Sequence, residues 1–129
     1  MVRKAVIYLD THTIVRLYQG RLGKVGDAAR RMIERDDVYL PPAAILELEF
    51  LHETGRLTVG AMDIVSDLCA ELDARVCDAP FASIARIAVR EGWTRDPFDR
   101  LIVANARLMN APLATQDATI QKHYSRSVW

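Results

Sequence analysis

Short apolar runs, each ending on a carboxylate or a proline and separated by longer stretches of helical periodicity, are what most constrain this chain. "AVIYL" (residues 5–9) has the Val, Ile and Tyr content of a buried strand and stops at Asp10. "VYL" (38–40) is a second such run, closed by Pro41 and Pro42, "ARVCDA" (74–79) is a third candidate, and "APLATQD" supplies a last strand near 113–115. Between them the periodicity predicts helices over 12–20 with Gly20 as a stop, 24–36, 43–54 with Gly55 past its end, 60–74, 81–91 and 97–109, and a short helical turn at "TIQKHY". Strands that alternate with helices in this way imply an α/β fold on a mostly parallel sheet. In such sheets ligands bind beyond the carboxyl ends of the strands.

The chain has 129 residues, half of them hydrophobic and 26% charged, so the expectation is one globular domain over 1–129 rather than a disordered segment. "MVRKAVIYLD" has too few apolar residues for a signal-peptide core and no run approaches a membrane span, which reads as a cytoplasmic protein with no membrane role. Cys69 and Cys77 are too few for a disulfide framework and lack zinc-site pairing; two buried thiols are expected. Net charge is zero, which on its face argues against an avid nucleic-acid binder. Its distribution is uneven: residues 1–35 carry +5, 36–81 carry −8 and 82–129 carry +3. Lys24, Arg31 and Arg35 fall on one face of the predicted helix, with Arg16 and Arg21 just upstream. They form either a phosphate-facing patch or a solvated helix surface.

Within "TRDPFDRLIVANA" (94–106) two aspartates bracket a helix start. Asp96 fits the N-cap and Pro97 the first helical position, which leaves Asp99 at the third. The helix that follows is apolar almost all round, the pattern of a buried element, and Asp99 lies near its Ile102, Val103 and Ala106 side. A carboxylate directed at a packed interior requires a partner. Asp10 and Asp117 each end a predicted strand, and Glu47 sits inside "AAILELEF". Each has an ordinary explanation as a cap, a turn residue or a surface acid. Together, however, they deliver several acids to one sheet edge. Clustered carboxylates repel unless a cation is present. All-oxygen ligands suit Mg²⁺ or Mn²⁺, which can activate water and neutralise a phosphodiester, so the chemistry suggested is phosphodiester hydrolysis.

"YLDTHTIVRLY", "LPPAAILELEFLHETGRL", "DPFDRLIVANARLMNAPLATQDATI" and "HYSRSVW" resemble the ordered signatures of a PIN-domain (PilT N-terminus) protein of the VapC toxin type, over essentially the whole chain. The resemblance implies a three-layer α/β/α sandwich with a mostly parallel sheet, and Mg²⁺- or Mn²⁺-dependent endoribonuclease activity on RNA. It also implies a homodimer and inhibition by a small cognate antitoxin. By the same resemblance Asp10, Glu47, Asp99 and Asp117 are metal ligands, with Asp96 as the helix cap supporting them. Thr11 and Thr115 lie beside the implied ligands and are candidates to orient water or a carboxylate. Asn105 either faces the cleft or is an amide satisfied in the core, and His12 either touches the scissile phosphate or, as preferred, faces solvent. Glu49 rivals Glu47 but points about 200° away around the helix. Alignment on Gly55 and Leu57 selects Glu47. "PPAA" replaces a frequent Ser, and Asn105 stands where Gln or Thr is usual.

Two other readings exist. A haloacid-dehalogenase-like phosphatase also begins with a strand-end Asp, but expects an acid or small residue where His12 stands, and its lysine motif is missing. A PIN-like module that binds RNA or a partner without cutting keeps the fold but not the turnover. Ile64, Val65, Leu68 and Leu72 form a stripe that serves either the core or a groove or dimer surface for an amphipathic partner segment.

Overall fold

The structure is a computed structural model describing residues 4–129. Strands β1 (Val6–Leu9), β2 (Asp37–Leu40), β3 (Arg75–Val76), β4 (Leu113–Ala114) and β5 (Ser127–Val128) form a parallel sheet in the order β3-β2-β1-β4-β5. Helices α1 (Thr11–Tyr18) and α2 (Asp27–Arg35) connect β1 to β2, and α3 (Pro42–Glu53) and α4 (Ala61–Leu72) connect β2 to β3. Helices α5 (Phe81–Ala88) and α6 (Pro97–Leu108) lead to β4, and α7 (Ala118–His123) leads to β5. Ile7, Tyr8 and Leu9 are all buried, so both faces of the central strand are covered, as a parallel sheet requires. The expected α/β architecture with its parallel sheet is therefore present.

Most elements lie within a few residues of their predicted spans, and the departures have physical causes. The helix expected from residue 24 starts at Asp27, because Leu22–Lys24 form a 3-10 turn and Gly26 takes the N-cap. Lys24 therefore does not share a helical face with Arg31 and Arg35. The "ARVCDA" strand shrinks to Arg75–Val76, both exposed at the sheet edge, and the helix over 81–91 ends at Ala88. β5 has no strong apolar pattern in "SRSVW" and exists through pairing, with Leu113 N–H donating to the Arg126 carbonyl and Thr115 N–H to that of Val128. Gly20 and Gly55 follow the C-caps of α1 and α3 at φ +69 and +81, where a side chain would strain the turn.

Ile7, Leu9, Ile14, Leu40, Leu48, Ile64, Val103 and Leu113 are fully buried in one core, each such side chain contributing about 1.5–3 kcal/mol by transfer from water. Ile64, Val65 and Leu68 belong to that core. The stripe considered as a groove or dimer surface is thus interior, and Leu72 packs against it. The exposed apolar side chains are instead Leu46 and Phe50 on α3, Met62 on α4, Phe81 on α5, and Val89 and Met109, among others. Cys77 is buried but Cys69 only half so, which corrects the expectation of two buried thiols. Among the described residues no helix is long and apolar enough to cross a membrane.

Candidate active site

Strand order reverses at β1: the chain steps outward through β2 and β3, then returns to place β4 on β1's other side. Such a switch point opens a crevice at the carboxyl ends of the two strands. Asp10 directly follows β1, and Asp117 follows β4 by three residues. Tyr8 pairs with Leu113 and Leu9 with Ala114, so both strands end together and deliver the two acids to one edge.

Three of the acids are held by the helices they start. Asp10 caps α1: its Oδ1 accepts from the Thr13 N–H at 2.9 Å and lies 2.6 Å from the Thr13 hydroxyl. Asp117 caps α7, its Oδ1 accepting from the N–H groups of Thr119 (2.8 Å) and Ile120 (3.0 Å). Asp96 caps α6, accepting from Phe98 (2.8 Å) and Asp99 (3.1 Å). Asp99 is left in the first turn, with no hydrogen-bond donor to its carboxylate among the described residues. Glu47 comes from α3, and the Thr11 hydroxyl donates to its Oε1. Glu49, on the other side of the helix, accepts from the Ala61 N–H at 3.0 Å and joins α3 to the start of α4.

The charges of these acids bear on one another. Burial pushes the Asp99 carboxyl up to about 7, and the charges of Asp96, Glu47, Asp117 and Asp10 add to the rise. Glu47 is also raised, mainly by burial, against the opposing Thr11 hydrogen bond. No Lys or Arg lies within salt-bridge distance of Asp10, Glu47, Asp99 or Asp117 among the described residues. Asp10 and Asp117 each spend only Oδ1 on their caps, and Glu47 spends only Oε1 on Thr11, so each keeps a second oxygen for a cation. That donor set fits a hard divalent ion. Among the described residues no three His, Cys, Asp or Glu side chains already surround one point at ligand distance.

The remaining singled-out residues divide. Thr115 is buried, and its hydroxyl accepts from the Asp117 N–H at 3.1 Å, setting the turn that carries Asp117. His12 is exposed, yet lines the cleft with Asp10 and Asp117. Asn105 is buried: its amide donates to the Cys77 thiol at 3.3 Å, beside the Tyr8 hydroxyl, and its Oδ1 has no partner among the described residues. Of the two openings left for Asn105, the core is the one realised. Of the basic residues, Arg16 reaches this cleft, whereas Arg35 pairs with Asp36 beside a separate cleft. Two contributors escape sequence reasoning. Thr13 was signalled only by its place three residues after a cap, and Gln116 had no signal beyond its neighbours.

Solved structures of the same shape exist at low identity. VapBC2 from Rickettsia felis, bound to a DNA fragment from its promoter, is 14% identical, with 95% of this chain and 96% of that chain covered and a TM-score of 0.64. A toxin–antitoxin complex from Klebsiella pneumoniae is 16% identical over 95% and 96%, with a TM-score of 0.66. A domain of a functionally unknown protein from Methanocaldococcus jannaschii is 18% identical over 98% and 91%, at 0.60. No curated protein matches the sequence. The family model for the PIN domain matches residues 7–125, spanning the strand-end aspartates and every element between them, and the chain belongs to the PIN domain family.

Proposed function

We propose that this protein is a divalent-metal-dependent endoribonuclease of the VapC toxin type, acting as one domain over residues 1–129. The observation that carries the reading is the cluster of Asp10, Glu47, Asp99 and Asp117 at the sheet's switch point, without a cation partner among the described residues and with the Asp99 carboxyl held up near 7. Family membership supports nuclease chemistry. The likeness to toxin–antitoxin complexes supports the toxin reading.

Those four acids would hold Mg²⁺ or Mn²⁺. When bound, such an ion supplies charge neutralisation at the phosphodiester and an activated water. The chain's own residues supply position. The Thr13 bonds fix Asp10, Thr11 orients Glu47, Asp96 fixes the first turn that carries Asp99, and Thr115 and the α7 amides fix Asp117. The unspent carboxylate oxygens remain for the ion and for accepting a proton from water.

The same reading assigns a small antitoxin as partner and a homodimer as the working form. The exposed apolar residues Leu46, Phe50 and Met62 support an interface of that kind. A monomeric mass in sedimentation equilibrium would remove the dimer. The central test is cleavage of a mixed RNA pool by purified protein with Mg²⁺, with Mn²⁺ and with EDTA, beside Asp99→Asn. Metal-dependent cutting lost in the variant is expected. Equal cutting by the variant would sink the metal assignment, and no cutting with no metal binding would leave a binding module.

A further inference from the structure

Arg16 is the basic side chain that lines the candidate cleft. Lys4, Arg30, Arg35 and Arg107 each pair with a carboxylate, of Asp37, Asp27, Asp36 and Glu91 respectively. Among the described residues Arg16 has no such partner, although it lines the cleft of about 260 Å³ that Asp10, His12, Gln116 and Asp117 also line. It sits one turn after His12 on α1, so the two side chains share a helix face.

Its guanidinium is nonetheless fixed. It lies 5.4 Å from the centroid of the Trp129 ring, and Nη1 donates to the Lys24 carbonyl at 3.2 Å. A guanidinium over an indole gains cation–π attraction and keeps N–H donors for other groups. One of five donors is used by Lys24, and the others are uncommitted among the described residues. The place of the ring is itself built into the backbone. A Cβ on Gly26 would stand 2.2 Å from the Trp129 carbonyl carbon and 2.7 Å from its ring, so the indole holds its place only because residue 26 is glycine. Gly26 has an ordinary φ of −57, so space and not backbone freedom is what requires it there.

We propose that Arg16 binds a phosphate of the RNA strand beside the carboxylate cluster, with Trp129 and Gly26 as the residues that position it. The inference rests on the nuclease reading. RNA must bring negative charge to an edge already crowded with acids, and a fixed arginine without a carboxylate partner is the feature that offsets this on the side of the cleft nearest Asp10 and Asp117. A flexible lysine would give charge without the forked donor geometry that matches a phosphate.

The test compares parent, Arg16→Gln, Arg16→Lys and Gly26→Ala in RNA cleavage with Mn²⁺. In parallel, fluorescence anisotropy follows a short labelled single-stranded RNA bound to Asp99→Asn with and without Arg16→Gln, across a KCl series. Arg16→Gln is expected to raise KM about 10-fold with kcat within about 2-fold, and to flatten the dependence of log affinity on log salt by about 0.7, the share of one phosphate contact on a single strand. Arg16→Lys should recover part of the salt slope. Gly26→Ala, which displaces Trp129, should raise KM in the same direction. Unchanged KM and salt slope in Arg16→Gln, with the parent cutting, would overturn the phosphate role and leave the nuclease reading standing. A parent that never cuts, but binds RNA through Arg16 in the anisotropy series, would sink the nuclease reading and keep the contact. Loss of kcat alone, or anisotropy indifferent to Arg16, would also overturn it.

Discussion

Acidic residues at two places in this protein are treated in opposite ways. Away from the cleft, Asp36 is gripped by the Arg35 guanidinium through bonds of 2.7 and 3.0 Å, Asp37 by Lys4 at 2.9 Å, and Glu91 by Arg107 at 2.7 Å and the Trp93 indole at 2.6 Å. At the carboxyl edge, the described residues offer Asp10, Glu47 and Asp117 only hydroxyl and backbone N–H donors, and Asp99 none. The Arg35 bond holds the Asp36 carboxyl below its usual range, whereas burial, with like charge added, raises Asp99 to about 7. Among the described residues Asp27, Asp36, Asp37 and Glu91 each have a Lys or Arg within salt-bridge distance, whereas the four acids at the switch point have none.

The largest expected effect tests that contrast at its charged end. Asp99→Asn keeps the side-chain volume and should cut RNA cleavage by roughly 10²-fold or more, since an ion-held transition state is worth several kcal/mol. Steady-state rates with Mn²⁺ measure this, and a change under about 3-fold would show that Asp99 is not needed for the chemistry. The paired end predicts a loss of stability instead. Glu91→Ala strands the Arg107 guanidinium and the Trp93 N–H and should cost about 2 kcal/mol, read from denaturant midpoints. An unchanged midpoint would mean the pairing contributes nothing.

A third comparison uses pH. Asp99 has a folded value above its unfolded one, so its charge opposes folding; this cost is absent below about 4 and grows as pH rises to about 7. The Asp36–Arg35 pair has the reverse sign, stabilising above the ordinary carboxylate range and failing as pH falls through it. Metal-free protein should therefore lose stability between about pH 4 and 7 through the Asp99 cluster, and Asp99→Asn should remove most of that loss. Solvent screening at this half-buried site limits the gain at neutral pH to about 1–2 kcal/mol. Thermal melts in EDTA at several pH values would show it, and parallel pH profiles for parent and variant would refute it. The smallest effect separates the two aspartates of "DPFD". Asp96→Asn should change stability by only a few tenths of a kcal/mol because asparagine caps as well, while Asp96→Ala should cost about 1 kcal/mol. Equal costs for the two would deny the cap.

The alternation of short strands and helices, and the strand-end positions of Asp10 and Asp117, were legible in the sequence because they depend on local periodicity and turn chemistry. So was the Asp96 cap in "DPFD", since an N-cap and the first helical turn it serves lie within four residues. Asn105 was not legible: its spacing allowed the cleft or the core, and only the packing of α6 against Cys77 decided it. The stripe at Ile64, Val65 and Leu68 had the same ambiguity and proved to be core. Strand β5 and the Gly26–Trp129 approach depend on residues far apart in the chain, and no local pattern marks them.

What the sequence by itself determined is therefore the set of elements, their parallel arrangement and the acids at their ends, because each follows from short-range hydrogen bonding and the burial of a periodic face. The tertiary structure decided how those acids share an edge, which basic residues are spent on ion pairs, and which one remains at the cleft. Those outcomes depend on strand order and on distances between residues remote in sequence. The energies that fix them, Coulomb repulsion and desolvation, exist only once the chain has brought the groups together.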